Sequence, residues 1–167
     1  MNPVLWLIAG FIGWMLWRFL RDPRTSTIAS NGKAYRVEPG PGQEDRAELL
    51  ADIESRVQKV IERMGLPKKH VEFSENTDTT QHVAVTIDKK DIRLCLRHPD
   101  PNTLFFVAMH EVAHAYSTDV GHTKPFWDLY SLLIQTSVDM NLYKYKDYQE
   151  EPVKYCGMDI SNSPFRT

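Results

Sequence analysis

The run His110-Glu111-Val112-Ala113-His114 holds the residues of this chain whose types and spacing best suit chemistry. Histidines four residues apart on a helix share one face, one turn apart. Their imidazole nitrogens can converge on one metal ion at about 2.0–2.1 Å, the distance zinc prefers. Glu111 is turned about 100° from His110 by the helical period. It borders such an ion without ligating it, where a general base for a metal-activated water belongs. The implied chemistry is attack of water on a carbonyl. Glu111 takes the proton and passes it to the leaving amine.

A catalytic zinc takes three protein ligands and keeps one position open. His122 is the expected third, with seven residues between it and His114 and with Gly121 allowing a turn just before it. Asp119 is the second choice; Glu150 and Glu151 are weaker ones on an irregular tail. The metzincin pattern fails, because Ser117 and Val120 stand where it needs glycine and histidine. A glutamate-ligand pattern also fits worse. The helix expected at 124–140 carries Asp128 and Asp139 but no glutamate. One zinc held by His110, His114 and His122 is therefore expected.

The element that carries the motif must be a well-started helix. Asp100-Pro101 supplies an N-cap carboxylate and a proline at the first helical position. That helix should run to about Ser117, with Phe105, Ala108, Val112 and Ala115 on an apolar face. A following helix opens at Thr123-Lys124-Pro125 and runs to about Met140. Helical spacing also marks 44–64 through Ala47, Leu50, Ile53, Val57, Val60, Ile61 and Met64, stopped by Gly65 and Pro67. Strands are expected at 70–73, 81–87 and 91–96, the last two joined by Asp88-Lys89-Lys90. Residues 22–43 read as a linker rich in proline and glycine, with a short edge strand at 33–37. The tail from Asn141 reads as irregular and tyrosine-rich. Among its tyrosines, Tyr155 is the best candidate to donate to an oxyanion. Packing is the more ordinary role for any one of them. His70, His82 and His98 read as surface or core histidines.

Residues 3–17 contain no charged side chain, and Arg18, Arg21 and Arg24 follow. A spanning helix needs about 20 apolar residues, so this run reaches the length only if Arg18 snorkels. Trp6, Trp14 and Trp17 suit an interfacial belt, and the arginines would keep the C-terminal bulk in the cytosol with the N-terminus outside. The expected organisation is a transmembrane anchor at 1–21, a linker at 22–43, a catalytic domain at 44–160 and a tail at 161–167.

The composition, 42% hydrophobic and 25% charged with a net charge of −2, is that of an ordinary globular chain. It shows no basic stripe with interleaved aromatics, so nucleic acid is not expected as a partner. Cys95 and Cys156 are far apart and do not read as a disulfide framework or a cysteine zinc site. Sparse cysteine fits a reducing compartment. Cys156 has two readings: a buried structural cysteine, or a latch that ligates zinc and silences the site.

The stretch from Leu104 to Trp127 resembles the WLM metallopeptidases and their SprT-like relatives: a His-Glu-x-x-His helix, then Gly121-His122, then the pair Phe126-Trp127. Ile92-Arg93-Leu94-Cys95-Leu96 looks like their strand before the active-site helix. Tyr155-Cys156-Gly157 looks like an element of short viral members. The resemblance covers roughly residues 44 to 160. It implies an α+β fold, a minimal zincin-like domain whose small sheet packs on the active-site helix and flanking helices. It also implies zinc peptidase activity on a protein or peptide substrate. By position, His110, His114 and His122 are the ligands and Glu111 the base. The chain departs from many members in having seven rather than five residues between the second and third histidines. Eukaryotic relatives that cleave DNA-crosslinked proteins carry added binding segments not seen here, so that role is not transferred. Two other readings stand beside the peptidase. One is a zincin-fold protein that binds metal without turnover; the other is a membrane adaptor with incidental histidines.

Overall fold

The computed structural model describes residues 8, 10–14, 24–97 and 100–165. A five-stranded sheet is built from β1 (Thr25–Ile28), β2 (Ala34–Val37), β3 (Glu72–Glu75), β4 (Ala84–Ile87) and β5 (Asp91–Leu94), in the order β1-β2-β3-β5-β4. β2, β3 and β5 run parallel, while β1 and β4 pair antiparallel at the two edges. Helix α1 (Gln43–Arg63) connects β2 to β3, and α2 (Pro101–Tyr116) and α3 (Lys124–Asp139) follow β5. A separate hairpin, β6 (Val153–Tyr155) with β7 (Met158–Ile160), comes last.

Alternation sets the inner face of the sheet. Tyr35, Val37, Phe73, Ile92 and Leu94 are buried, while Arg36 and Arg93 on the other face stay half-exposed. The apolar stripe of α1 packs on that face through Leu50, Ile53, Val57 and Val60. α2 is buried nearly all round from Thr103 to Met109, because the sheet, α1, α3 and the tail enclose it. The expected picture of one apolar face undercounts its burial. The tail tyrosines close that enclosure. Phe106 packs against Tyr130, Tyr143 and Tyr148, with ring centroids 5.4, 6.0 and 4.5 Å away.

The expected N-cap is present. The Asp100 carboxylate accepts the Thr103 backbone N–H at 2.7 Å and the Thr103 hydroxyl at 2.8 Å, and Pro101 opens the helix. Asp100→Ala should lower unfolding stability by about 1 kcal/mol, readable as a shift in the urea midpoint with unchanged slope. An unshifted midpoint would mean that the cap does not hold this helix.

Five expectations need correction. The stretch read as a linker contains β1 and β2. It is tied to α1 by Lys33 and Tyr35, which both donate to the buried Glu54 at 2.6 Å. β2 is an inner strand; β1 takes the edge. Residues past 160 also belong to the fold, since Ser163 is buried and the Ser131 hydroxyl donates to the Pro164 carbonyl. Cys95 and Cys156 form a disulfide across a sequence separation of 61. The hairpin folds back onto the end of β5 and brings their Cα atoms to 6.4 Å. The latch reading of Cys156 and the reducing-compartment reading lose their basis.

The last correction concerns the membrane. Among the described residues, no helix is long and apolar enough to cross one. Residues 8 and 10–14 are helical. The remainder of the run read as an anchor lies outside the described residues. The single-pass placement, its lipid contact and its orientation are therefore withdrawn. They rested on a count of apolar residues that reached the spanning length only by including Arg18.

Candidate metal centre

His110 and His114 stand one turn apart on α2, and His122 reaches them from the segment that leads into α3. The Nε2 atom of His122 lies 2.9 Å from that of His110 and 3.1 Å from that of His114. The three ligand atoms fall within 4.8 Å of one another, and the group could hold a metal ion. A tetrahedral ion at about 2.0–2.1 Å from each nitrogen would set them about 3.3 Å apart. The two His122 spacings differ from that by a few tenths of an ångström, and the donor set suits zinc in number and type.

Electrostatics favours the neutral, metal-binding form of the rings. Burial, then the charges of His114 and His122, push His110 down to about 3. Burial, then His122 and Lys89, push His114 down to about 4. The fully buried Phe126 ring faces all three imidazoles, with centroids at 4.9, 4.4 and 4.8 Å from His110, His114 and His122. Trp127 lies 5.7 Å from His122. The aromatic pair is thus a floor and a side wall for the cluster.

Glu111 is 6% exposed, and burial pushes its carboxyl up to about 7 against a lowering hydrogen bond from Thr86. The Thr86 hydroxyl donates to Glu111 Oε2 at 2.7 Å and also lies 2.9 Å from the Glu111 carbonyl oxygen. A cleft of about 440 Å³ brings β4, the histidines, Glu111, Trp127 and the hairpin together. Val85 and Thr86 line one side, Met158 and Ile160 the other. A larger depression of about 860 Å³ lies beyond the hairpin and includes none of the three histidines.

The remaining candidates lie elsewhere. The Asp119 carboxylate accepts the hydroxyls of Thr118 and Thr123 at 3.3 and 3.0 Å, so it shapes the segment before α3 and stays out of the histidine group. Glu150 and Glu151 border the larger depression. Tyr155 is buried, and its hydroxyl donates to the Cys95 carbonyl at 2.7 Å. Tyr130, which does line the cleft, donates to the Phe106 carbonyl at 3.1 Å. His70 is exposed beside Glu72, His82 lies at the cleft rim, and His98 is outside the described residues. Sequence reasoning missed Thr86 and Lys89. Both looked like ordinary strand and turn residues, and nothing local to either pointed at α2.

The fold is a mixed α+β one. It is similar to the crystal structure of Wss1 from Saccharomyces cerevisiae, with a TM-score of 0.55 at 17% identity, over 73% of this chain and 98% of that one. No family model matches the chain. In sequence it is 31% identical over 172 residues to the uncharacterized protein R325 of Acanthamoeba polyphaga mimivirus, covering 85% of this chain and 87% of the relative. The chain belongs to the same family as that mimivirus protein. Shorter matches join it to the uncharacterized proteins 136R of Invertebrate iridescent virus 6, 35% identical over 66 residues, and 042R of Invertebrate iridescent virus 3, 36% identical over 80 residues. They cover 35% and 44% of this chain, and 37% and 48% of the respective relatives.

Proposed function

We propose that this chain is a zinc-dependent peptidase of the WLM type, with His110, His114 and His122 as ligands and Glu111 as general base. The observation that carries the reading is the meeting of three imidazole nitrogens with a buried carboxylate at one cleft. The likeness of the fold to Wss1 and the motif resemblance support it. Zinc, when bound, supplies Lewis acidity to the scissile carbonyl and to the attacking water.

The rest of the chemistry falls to the chain's own side chains. Glu111 takes a proton from the attacking water and returns it to the departing amine. Thr86 fixes the carboxylate's direction, so Oε2 is held toward β4 by its hydrogen bond. The buried surroundings keep competing water away from that carboxylate. β4 ends the sheet, and its residues Ala84, Val85 and Thr86 line the cleft. An extended peptide laid along that edge can add as a further strand by main-chain hydrogen bonds. Tyr155 would stiffen the site through Cys95 before any role at an oxyanion.

The test is metal content with cleavage. The wild-type chain should hold about one zinc per molecule. His114→Ala and His122→Ala should each weaken zinc by more than the ~10–100-fold that changes in outer contacts produce. Zinc-loaded wild type should cleave an unfolded protein substrate, and the chelated chain should not. A wild type that takes up no zinc would sink the reading. His122→Ala with undiminished affinity would remove the third ligand. Zinc without cleavage would favour a metal-binding protein that does not turn over.

A further inference from the structure

The C-terminal end of α2 is closed from outside the helix. Its last carbonyls lack intrahelical donors, and the negative end of the helix dipole points there. The only basic residue of the last turn is His114, whose ring belongs to the metal group. Two lysines from distant segments fill the gap. Lys69 Nζ donates to the Ala115 carbonyl at 3.0 Å. Lys89 Nζ donates to His114 O at 3.3 Å, to Asp119 O at 3.0 Å and to Ser117 O.

The three Lys89 partners are not a random set. An ammonium has three protons, and here all three find carbonyls. One carbonyl belongs to a metal-group histidine. The other two lie on the segment that leaves α2 and arrives at His122. That segment is therefore wrapped around Nζ, between a residue on the helix and the third histidine.

The backbone of the β4–β5 turn supports the same conclusion. Asp88 and Lys89 both sit in the left-handed region, with φ of 49° and 55°. Glycine and asparagine occupy such positions with less strain than lysine. Turn geometry therefore does not explain a lysine at 89. The destination of its ammonium does.

We infer that Lys89 is a positioning residue for the metal centre: its ammonium gathers the carbonyls of His114, Ser117 and Asp119 so that His122 is delivered to His110 and His114. The inference rests on the three-histidine metal reading. It adds that the third ligand's place is set from the β4–β5 turn.

The test uses the 167-residue chain with zinc alone, competed by a chelating dye, and with Co(II) as a spectroscopic substitute. Lys89→Met keeps the aliphatic stem and loses the donors. It should weaken zinc on the order of 10–100-fold, and should dim and shift the visible Co(II) bands. Lys89→Gly relieves the turn and removes the ammonium, so it should lose as much affinity in a chain at least as able to fold. In a His122→Ala background, Lys89→Met should cost almost nothing more, because coupled sites are not additive. Wild-type affinity in both Lys89 variants would overturn the inference. So would an equal loss with and without His122, which would mean that Lys89 supports α2 in general. If wild type binds no zinc, the metal reading itself fails and this inference falls with it.

Discussion

Glu111→Gln should lower peptide hydrolysis by about 10²–10⁴-fold, the range that a general base supplies, while zinc stays bound. Glutamine has nearly the shape of glutamate, and its amide oxygen can still accept the Thr86 hydroxyl that now meets Oε2. What it lacks is a lone pair basic enough to take a proton from water. The three imidazoles do not include this side chain in their group, so the metal should remain at about one per chain. Single-turnover cleavage of an unfolded substrate, read beside zinc content, separates the outcomes. Turnover within tenfold of wild type would refute the role given to Glu111. Loss of zinc together with turnover would mean that Glu111 holds the site together.

Breaking the Cys95–Cys156 bond should be the largest single loss of stability, about 4 kcal/mol from the entropy of a closed loop of this size. The sequence separation it spans is 61 residues. The consequence is also local. β6 and β7 pair only with each other, in strands of three residues, and a lone two-stranded hairpin is marginal in water. The disulfide and the Tyr155 hydrogen bond to Cys95 hold that hairpin against the end of β5. The expected result is a lower guanidinium midpoint after reduction, matched by Cys95→Ala/Cys156→Ala, which should no longer respond to reductant. Coincident unfolding curves for the oxidised and reduced wild type would contradict this. Because Met158 and Ile160 form one side of the cleft, peptide affinity should fall along with stability.

The site was more legible in the sequence than the frame around it, for a physical reason. The spacing of His110, Glu111 and His114, and the Asp100-Pro101 start, are local signals. A helix converts them into geometry with no help from distant chain. His122 could be chosen because a glycine turn and a new helix start bracket it. β3, β4 and β5 were found to within a few residues from their β-branched and apolar content. The β1–β2 hairpin escaped because its strands have four residues each and sit among prolines and glycines. Its membership in the sheet depends on Lys33 and Tyr35 meeting Glu54, about 20 positions away. The disulfide, Thr86 and Lys89 are invisible for the same reason. Each acts on a partner more than 20 residues distant, and a single sequence carries no signal for such pairing. The anchor read from Pro3 to Trp17 rested on apolar composition alone, and among the described residues no helix is long and apolar enough to cross a membrane.

β4 is both an outer strand of the sheet and the strand that carries Thr86. Under the proposed function, a peptide that hydrogen-bonds along this strand is measured against the same backbone that aims the base. The bond to be cut is then selected by main-chain register, before any side chain is tested. Selection of that kind discriminates by shape: most strands of a folded protein already have their main-chain partners, and few free edges are left to offer. The chain would act on polypeptide that has lost its structure, over a wide range of sequences, and its preference would be a measure of how unfolded the substrate is.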